Sequence, residues 1–161
     1  MADFGKTGRL GEVLIRRGLL TPAQLERALA QQRESGEILG AIVLKLGFVR
    51  PEALLDALSE HFGIPREMVD VSRVDWTFVD RLPASVFAGG NCFPLREDEF
   101  SVTVAIINPL DVWALSAAER AAGSRRVRPV LVLEQELSML LAERTRRALS
   151  HLEPPPPDAS A

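Results

Sequence analysis

Cysteine is nearly absent: Cys92 is the single one in 161 residues. No intramolecular disulfide is possible, which suits a reducing compartment. The default role of Cys92 is small apolar filler. Histidine is scarce as well. His61 and His151 are the two present, and neither has a cysteine or carboxylate at the spacing of a metal site. No window approaches the roughly 18 apolar residues of a membrane span, and no apolar stretch of the signal-peptide kind opens the chain. The expected location is the cytoplasm, without direct membrane insertion, and docking on a membrane complex stays open. Surplus positive charge is also lacking. With a net charge of −3, the chain as a whole is no polyanion binder, and contact with phosphate needs a local group of arginines.

Catalytic signatures are missing too. There is no nucleophile elbow, no dinucleotide fingerprint and no paired carboxylate site. Gly5-Lys6-Thr7 ends like a phosphate-binding loop. The first glycine of that motif would fall before the start of the chain, and no strand precedes it. Gly89-Gly90 reads as a turn. The expectation is a non-enzymatic binding module with no cofactor and no metal. Its 47% hydrophobic and 25% charged residues are those of a globular protein able to bury a core. The length allows one ordinary domain or two small ones.

What is present is a repeat. Offset by 29 residues, the chain matches itself: Leu10 falls on Leu39, Gly11 on Gly40, Gly18 on Gly47, Pro22 on Pro51, Leu25 on Leu54, Ala28 on Ala57 and Leu29 on Leu58. The copies span residues 9–32 and 38–61, with Arg33-Glu34-Ser35-Gly36-Glu37 between them. Each reads as a helix–turn–helix hairpin. Leu10, Val13, Leu14 and Arg17 share one helical face. Gly18 is placed to stop that helix in the left-handed conformation. Thr21 caps the next helix, Pro22 fits its first position and Gln24 completes a capping box. Leu25, Ala28, Leu29 and Gln32 then follow on one face. Copy two repeats this, with Arg50 as a poorer cap.

Gly63-Ile64-Pro65 ends the fourth helix, and the pattern changes. Residues 76–81 and 83–87 read as short helical turns. Residues 91–95 and 100–107 are β-rich, 110–122 reads as a helix, 127–133 as a strand and 134–150 as an amphipathic helix. These give a small unit with strand–helix–strand–helix order. The expected fold class is α+β: an N-terminal four-helix tandem-hairpin subdomain (1–65) packed on a small mixed α/β subdomain (66–150). A Pro-rich tail (151–161) is expected to be disordered.

Two readings of the repeat are open. In the first, Arg9-Leu10-Gly11 begins a helix, where free backbone N–H groups favour an anion. Arg9 forks onto a phosphate or a guanine edge, with Arg16 and Arg17 as basic neighbours. Gly11 and Gly40 permit close approach. Leu14, Leu25, Leu29, Leu54 and Leu58 form an apolar floor for flat bases, and Gln32 bonds a base edge or a phosphate. In the second, the leucines are the core of four packed helices and the glycines are caps.

These residues resemble the MshEN motif. That tandem 24-residue signature binds cyclic di-GMP at the N-terminus of type II secretion and type IV pilus assembly ATPases, with a five-residue spacer like the one here. Later segments are similar to the rest of that region, among them Gly63-Ile64-Pro65, Val69-Asp70-Val71, Asn108-Pro109-Leu110-Asp111 and Val127-Arg128-Pro129-Val130-Leu131. The resemblance implies a regulatory module binding cyclic di-GMP or a secretion-platform protein. Carried over, copy one matches at Arg9, Leu10, Gly11, Leu14, Gly18, Leu25, Leu29 and Gln32. Copy two matches at Leu39, Gly40, Gly47, Leu54 and Leu58. It departs at Ile38, where the motif has Arg, and at His61, where it has Gln. One lost bidentate contact costs ~1–3 kcal/mol, about ten- to hundredfold in affinity. The ATPases continue into a motor domain with a phosphate-binding loop that these residues do not contain, so ATP hydrolysis is not expected to carry over.

The expected partners are therefore cyclic di-GMP and a protein of a secretion or pilus machine. The rival reading is a protein–protein adaptor of such a machine that has lost nucleotide binding, which Ile38 and His61 favour. Nucleic acid is not an expected partner, because the charge balance and the want of a basic recognition face oppose it.

Overall fold

The computed structural model describes residues 4–152 and, within them, the side chains of residues 10–152. The expectation for the Pro-rich tail thus falls, from residue 153 on, outside the described residues. The chain divides into two compact units, one ending at Met68 and one starting at Val69.

The first unit holds four helices: α1 (Phe4–Arg16), α2 (Pro22–Ser35), α3 (Leu39–Lys45) and α4 (Pro51–Phe62). Both turns inside the copies are built alike. Gly18 sits at φ +72°, where a side chain would be strained. Its N–H donates to Ile15 O at 2.9 Å, and Leu19 N–H donates to Leu14 O at 2.9 Å. Gly47 sits at φ +70° and repeats both bonds 29 residues on, to Leu44 O and from Phe48 to Val43 O, each at 3.0 Å. This is the Schellman arrangement, which satisfies the last carbonyls of each helix. The N-terminal caps differ. Thr21 Oγ1 accepts from Gln24 N at 3.1 Å, while Gln24 Oε1 accepts from Thr21 N at 2.9 Å. Arg50 makes no side-chain cap.

Two boundaries depart from the sequence reading. Helix α1 begins at Phe4, ahead of the repeat, and α2 runs on to Ser35, through three residues of the spacer. Arg33 and Glu34 are good helix formers, and nothing stops the helix until Gly36 adopts φ +72°. The packing also differs from that of two self-contained hairpins. The broadest contact of α1 is with α4, and that of α2 is with α3. The two copies thus exchange partners in a reciprocal way. A two-helix hairpin cannot enclose its own apolar stripes, so the copies share one core. Leu14, Ile42, Val43, Ala28 and Ala57 are fully buried there.

The second unit comprises α5 (Trp76–Arg81), β1 (Cys92–Glu97), β2 (Ser101–Ile106), α6 (Val112–Ala122), β3 (Arg126–Leu131) and α7 (Glu134–Ser150), with short 3₁₀ turns at Val71–Arg73 and Ala84–Val86. The two β-rich stretches form a β1–β2 hairpin ahead of α6, β3 and α7, so one more strand is present than strand–helix–strand–helix order contains. The sheet order is β1-β2-β3. Strands β1 and β2 are antiparallel, with Phe93 opposite Ala105 and an irregularity between Pro94 and Arg96. Strands β2 and β3 are parallel, with Ala105 opposite Val130. Pro94 and Pro129 lie on the two edge strands, where a missing N–H is tolerated. Helix α6 starts at Val112 because Asp111 caps it, accepting from Trp113 N at 3.0 Å and Ala114 N at 3.1 Å. Phe93, Ala105, Val132 and Leu140 are fully buried in this unit's own core.

Candidate functional site

The candidate residues all fall in the helical unit. Their placement follows from how tightly each copy closes. A Cβ built on Gly11 would meet Leu25 Cδ1 at 2.9 Å, closer than real Cβ atoms approach. The equivalent Cβ on Gly40 would meet Leu54 Cδ2 at 3.6 Å, an ordinary contact. Each copy therefore lays a leucine of its second helix over a glycine of its first. Copy one is the tighter of the two.

The apolar candidates separate into two layers. Leu10, Leu14, Leu39 and Leu54 are buried, Leu14 completely. They shape the surface from beneath. Leu25, Leu29 and Leu58 are half-buried and keep apolar area toward solvent. Gly18 is exposed in its turn, and no atom lies within 4 Å of the position its Cβ would take. Gln32 is half-buried, and its backbone carbonyl accepts from Gly36 N at 2.9 Å. Gly40 is half-buried on α3. Arg9 belongs to α1, and its side chain lies outside those described.

The departures in copy two have plain structural counterparts. Ile38 precedes α3 in extended conformation, makes no cap bond and is 43% exposed. His61 is half-buried and meets the ring of Phe62 edge-on, with centroids 4.7 Å apart.

The basic neighbours of copy one are engaged by a residue that sequence reading missed. Arg16 Nη2 donates to Glu60 Oε1 at 2.7 Å, and Arg17 Nε lies 3.2 Å from Glu60 Oε2. One carboxylate of α4 thus ties down Arg16, the last residue of α1, and Arg17 just past it, and leaves one positive charge in excess. No local signal links residues 44 positions apart. In copy two, Lys45 Nζ donates to Glu37 Oε1 at 2.6 Å. The Arg27 guanidinium lies over the Phe48 ring at 5.8 Å.

The α+β unit has ionisable clusters of its own. Glu97 bridges Arg125 and Arg81, and these guanidinium groups hold its carboxyl below the usual range. Burial pushes the Cys92 thiol up to about 11, so it is not a thiolate nucleophile near neutrality. Among the described residues, no group of three or more His, Cys, Asp or Glu is placed to hold a metal ion. No described helix is long and apolar enough to cross a membrane.

Comparison with known proteins adds three findings. The profile of the MshEN domain matches residues 62–151, more than half of the chain. That span is chiefly the α+β unit, whereas the candidate residues lie before it. Among curated relatives, bacteriophage adsorption protein B of Escherichia coli (strain K12) is 32% identical over 128 residues, 80% of this chain. The type IV pilus assembly ATPase PilB of Thermus thermophilus is 34% identical over 119 residues, 71% of this chain. The aligned parts make up 17% and 13% of those relatives. Among solved structures, MshE with cdg (cyclic di-GMP) matches with a TM-score of 0.72 at 27% identity, covering 85% of this chain and 96% of that one. The N-terminal domain of XpsE matches with a TM-score of 0.60 at 23% identity over 86% of this chain and 94% of that one, a likeness of fold alone.

Proposed function

The chain belongs to the MshEN domain family, and from that membership we propose that it is a non-enzymatic regulatory module binding cyclic di-GMP on its helical repeat and passing the bound state to a partner protein. The observation that carries the reading is the doubled glycine–leucine contact, Gly11 under Leu25 and Gly40 under Leu54. It occurs in a chain that shares its fold with MshE, which has been solved with this nucleotide.

In this reading Leu25, Leu29 and Leu58 supply the apolar face for the bases. Leu10, Leu14, Leu39 and Leu54 support it from below, while Gly18 holds the turn. Gly11 and Gly40 let the first and second helices of each copy close, and Arg9 and Gln32 supply the polar contacts. The bound state is passed to a secretion or pilus protein, and the module works in the cytoplasm. Calorimetric titration of the whole chain with cyclic di-GMP tests this. Saturable binding is expected, and Arg9→Ala weakens it by about ten- to hundredfold, the worth of one bidentate contact. Absence of binding up to high micromolar, or indifference to Arg9→Ala, removes the ligand from the proposal.

Ile38, exposed and without a donor, favours a second reading: an adaptor that binds its partner without any nucleotide. Partner association measured with and without cyclic di-GMP separates the two, since an adaptor is indifferent to the nucleotide.

A further inference from the structure

We propose that the ligand surface carries the motif's leading arginine at one end only, and that Ile38 sets this, so the site selects a guanine nucleotide by a single phosphate-and-base end. This rests on the cyclic di-GMP reading above.

The turns of the two copies are built alike, with the same pair of hydrogen bonds and the same left-handed glycine, and each copy lays a leucine over a glycine, more tightly in copy one. The copies differ where they begin: Arg9 lies within α1, whereas Ile38 is extended ahead of α3. They match at the apolar positions and diverge at the charged ones. Arg9, Arg16, Arg17 and Arg27 of copy one correspond to Ile38, Lys45, Leu46 and Asp56 of copy two, whose own arginine, Arg50, stands opposite Thr21. Four arginines thus stand against one lysine and one arginine, and that lysine is already paired with Glu37 at 2.6 Å. Gln32 corresponds to His61, whose ring lies against Phe62.

Phosphate recognition depends on charge-assisted donors, and a guanidinium fork is the strongest of them. Ile38 provides none, yet at 43% exposure it offers apolar area. A cyclic dinucleotide has two equivalent ends. On this surface one end meets donors and the other meets Ile38. The second phosphate and base edge then add little, and a mononucleotide keeps most of the polar recognition.

The test titrates cyclic di-GMP and 5′-GMP against the whole chain and its Ile38→Arg, Ile38→Lys and Arg9→Ala variants. In the unsubstituted chain GMP is expected within about tenfold of cyclic di-GMP, because most discrimination comes from one end. Ile38→Arg should tighten cyclic di-GMP by about ten- to hundredfold through a restored bidentate contact. It should leave the first GMP nearly unchanged, so the gap between the two ligands widens. Ile38→Lys, a point charge without the fork, should give a smaller gain. Arg9→Ala should weaken both nucleotides alike.

If cyclic di-GMP binds the unsubstituted chain but neither residue-38 variant changes its affinity by more than about threefold, the asymmetry is overturned and the parent reading stands. A GMP deficit of a hundredfold or more in the unsubstituted chain also overturns it. If no variant binds either nucleotide, both proposals fall together.

Discussion

Two glycines at equivalent positions face different surroundings, and the difference decides what a methyl group would do there. Exchanging Gly for Ala in a helix interior is worth about 1 kcal/mol in its favour. Gly40 is the second residue of α3, and its new Cβ would rest 3.6 Å from Leu54, so Gly40→Ala should stabilise the helical unit by a part of that amount. At Gly11 the new Cβ would press to 2.9 Å from Leu25. Overpacking of about 1–3 kcal/mol then opposes the gain, leaving Gly11→Ala neutral to destabilising. Urea unfolding of the two variants checks this, and equal shifts would contradict the tighter closure of copy one. Leu14 makes a clearer case. It is fully buried, so Leu14→Ala should cost about 2–5 kcal/mol through a cavity, with or without nucleotide. Its apolar type and helical spacing were legible in the sequence. Whether it formed floor or core was not, because both roles call for the same residue at the same spacing.

At the scale of elements, the turns repeat and the caps do not. Thr21→Ala removes a capping box seen in both directions and should lower stability by about 1 kcal/mol. Arg50 has no cap bond to lose, so Arg50→Ser should raise stability by a few tenths to about 1 kcal/mol. Thermal unfolding followed by far-ultraviolet circular dichroism would register both changes, and opposite signs are the result expected. The turns were readable because a left-handed glycine and a Thr-Pro-x-Gln start act within a few residues of themselves. The pairing of α1 with α4 and of α2 with α3 was not readable. Helical periodicity marks which face is apolar and leaves unstated which neighbour covers it. The Glu60 clamp on Arg16 and Arg17 exists only once α1 and α4 lie together. It is exposed enough that its net worth is about 0–1 kcal/mol.

Over the whole molecule, the two units have separate cores, and the carboxyl groups held below their ordinary range lie in the second. Hydrogen bonds from Arg146 and Arg147 take Glu143 to about 2, while Glu97 is lowered by Arg125 and Arg81, and Asp98 by its bonds from Ser101 and Phe100. A depressed folded-state value means the unfolded chain takes up protons first as pH falls. The stabilisation is therefore complete above the ordinary carboxylate range and is lost as pH drops through it toward about 2 for Glu143. The melting temperature should fall over that acid interval, and Glu143→Gln should flatten the descent. An unchanged slope in the variant would show that the Arg146–Glu143–Arg147 group does not hold in the folded state.

Sequence alone determined the repeat, its turns, the order of most later elements and the departures of copy two at Ile38 and His61. Each of these depends on residue type and short spacing. Tertiary structure decided the exchange of helices between copies, the division of the leucines into a buried and a half-exposed layer, the β1–β2 hairpin and the ion pairs around Glu60 and Glu97. Those depend on which surfaces meet, and burial and Coulomb attraction act between residues that only the folded chain brings within a few ångströms.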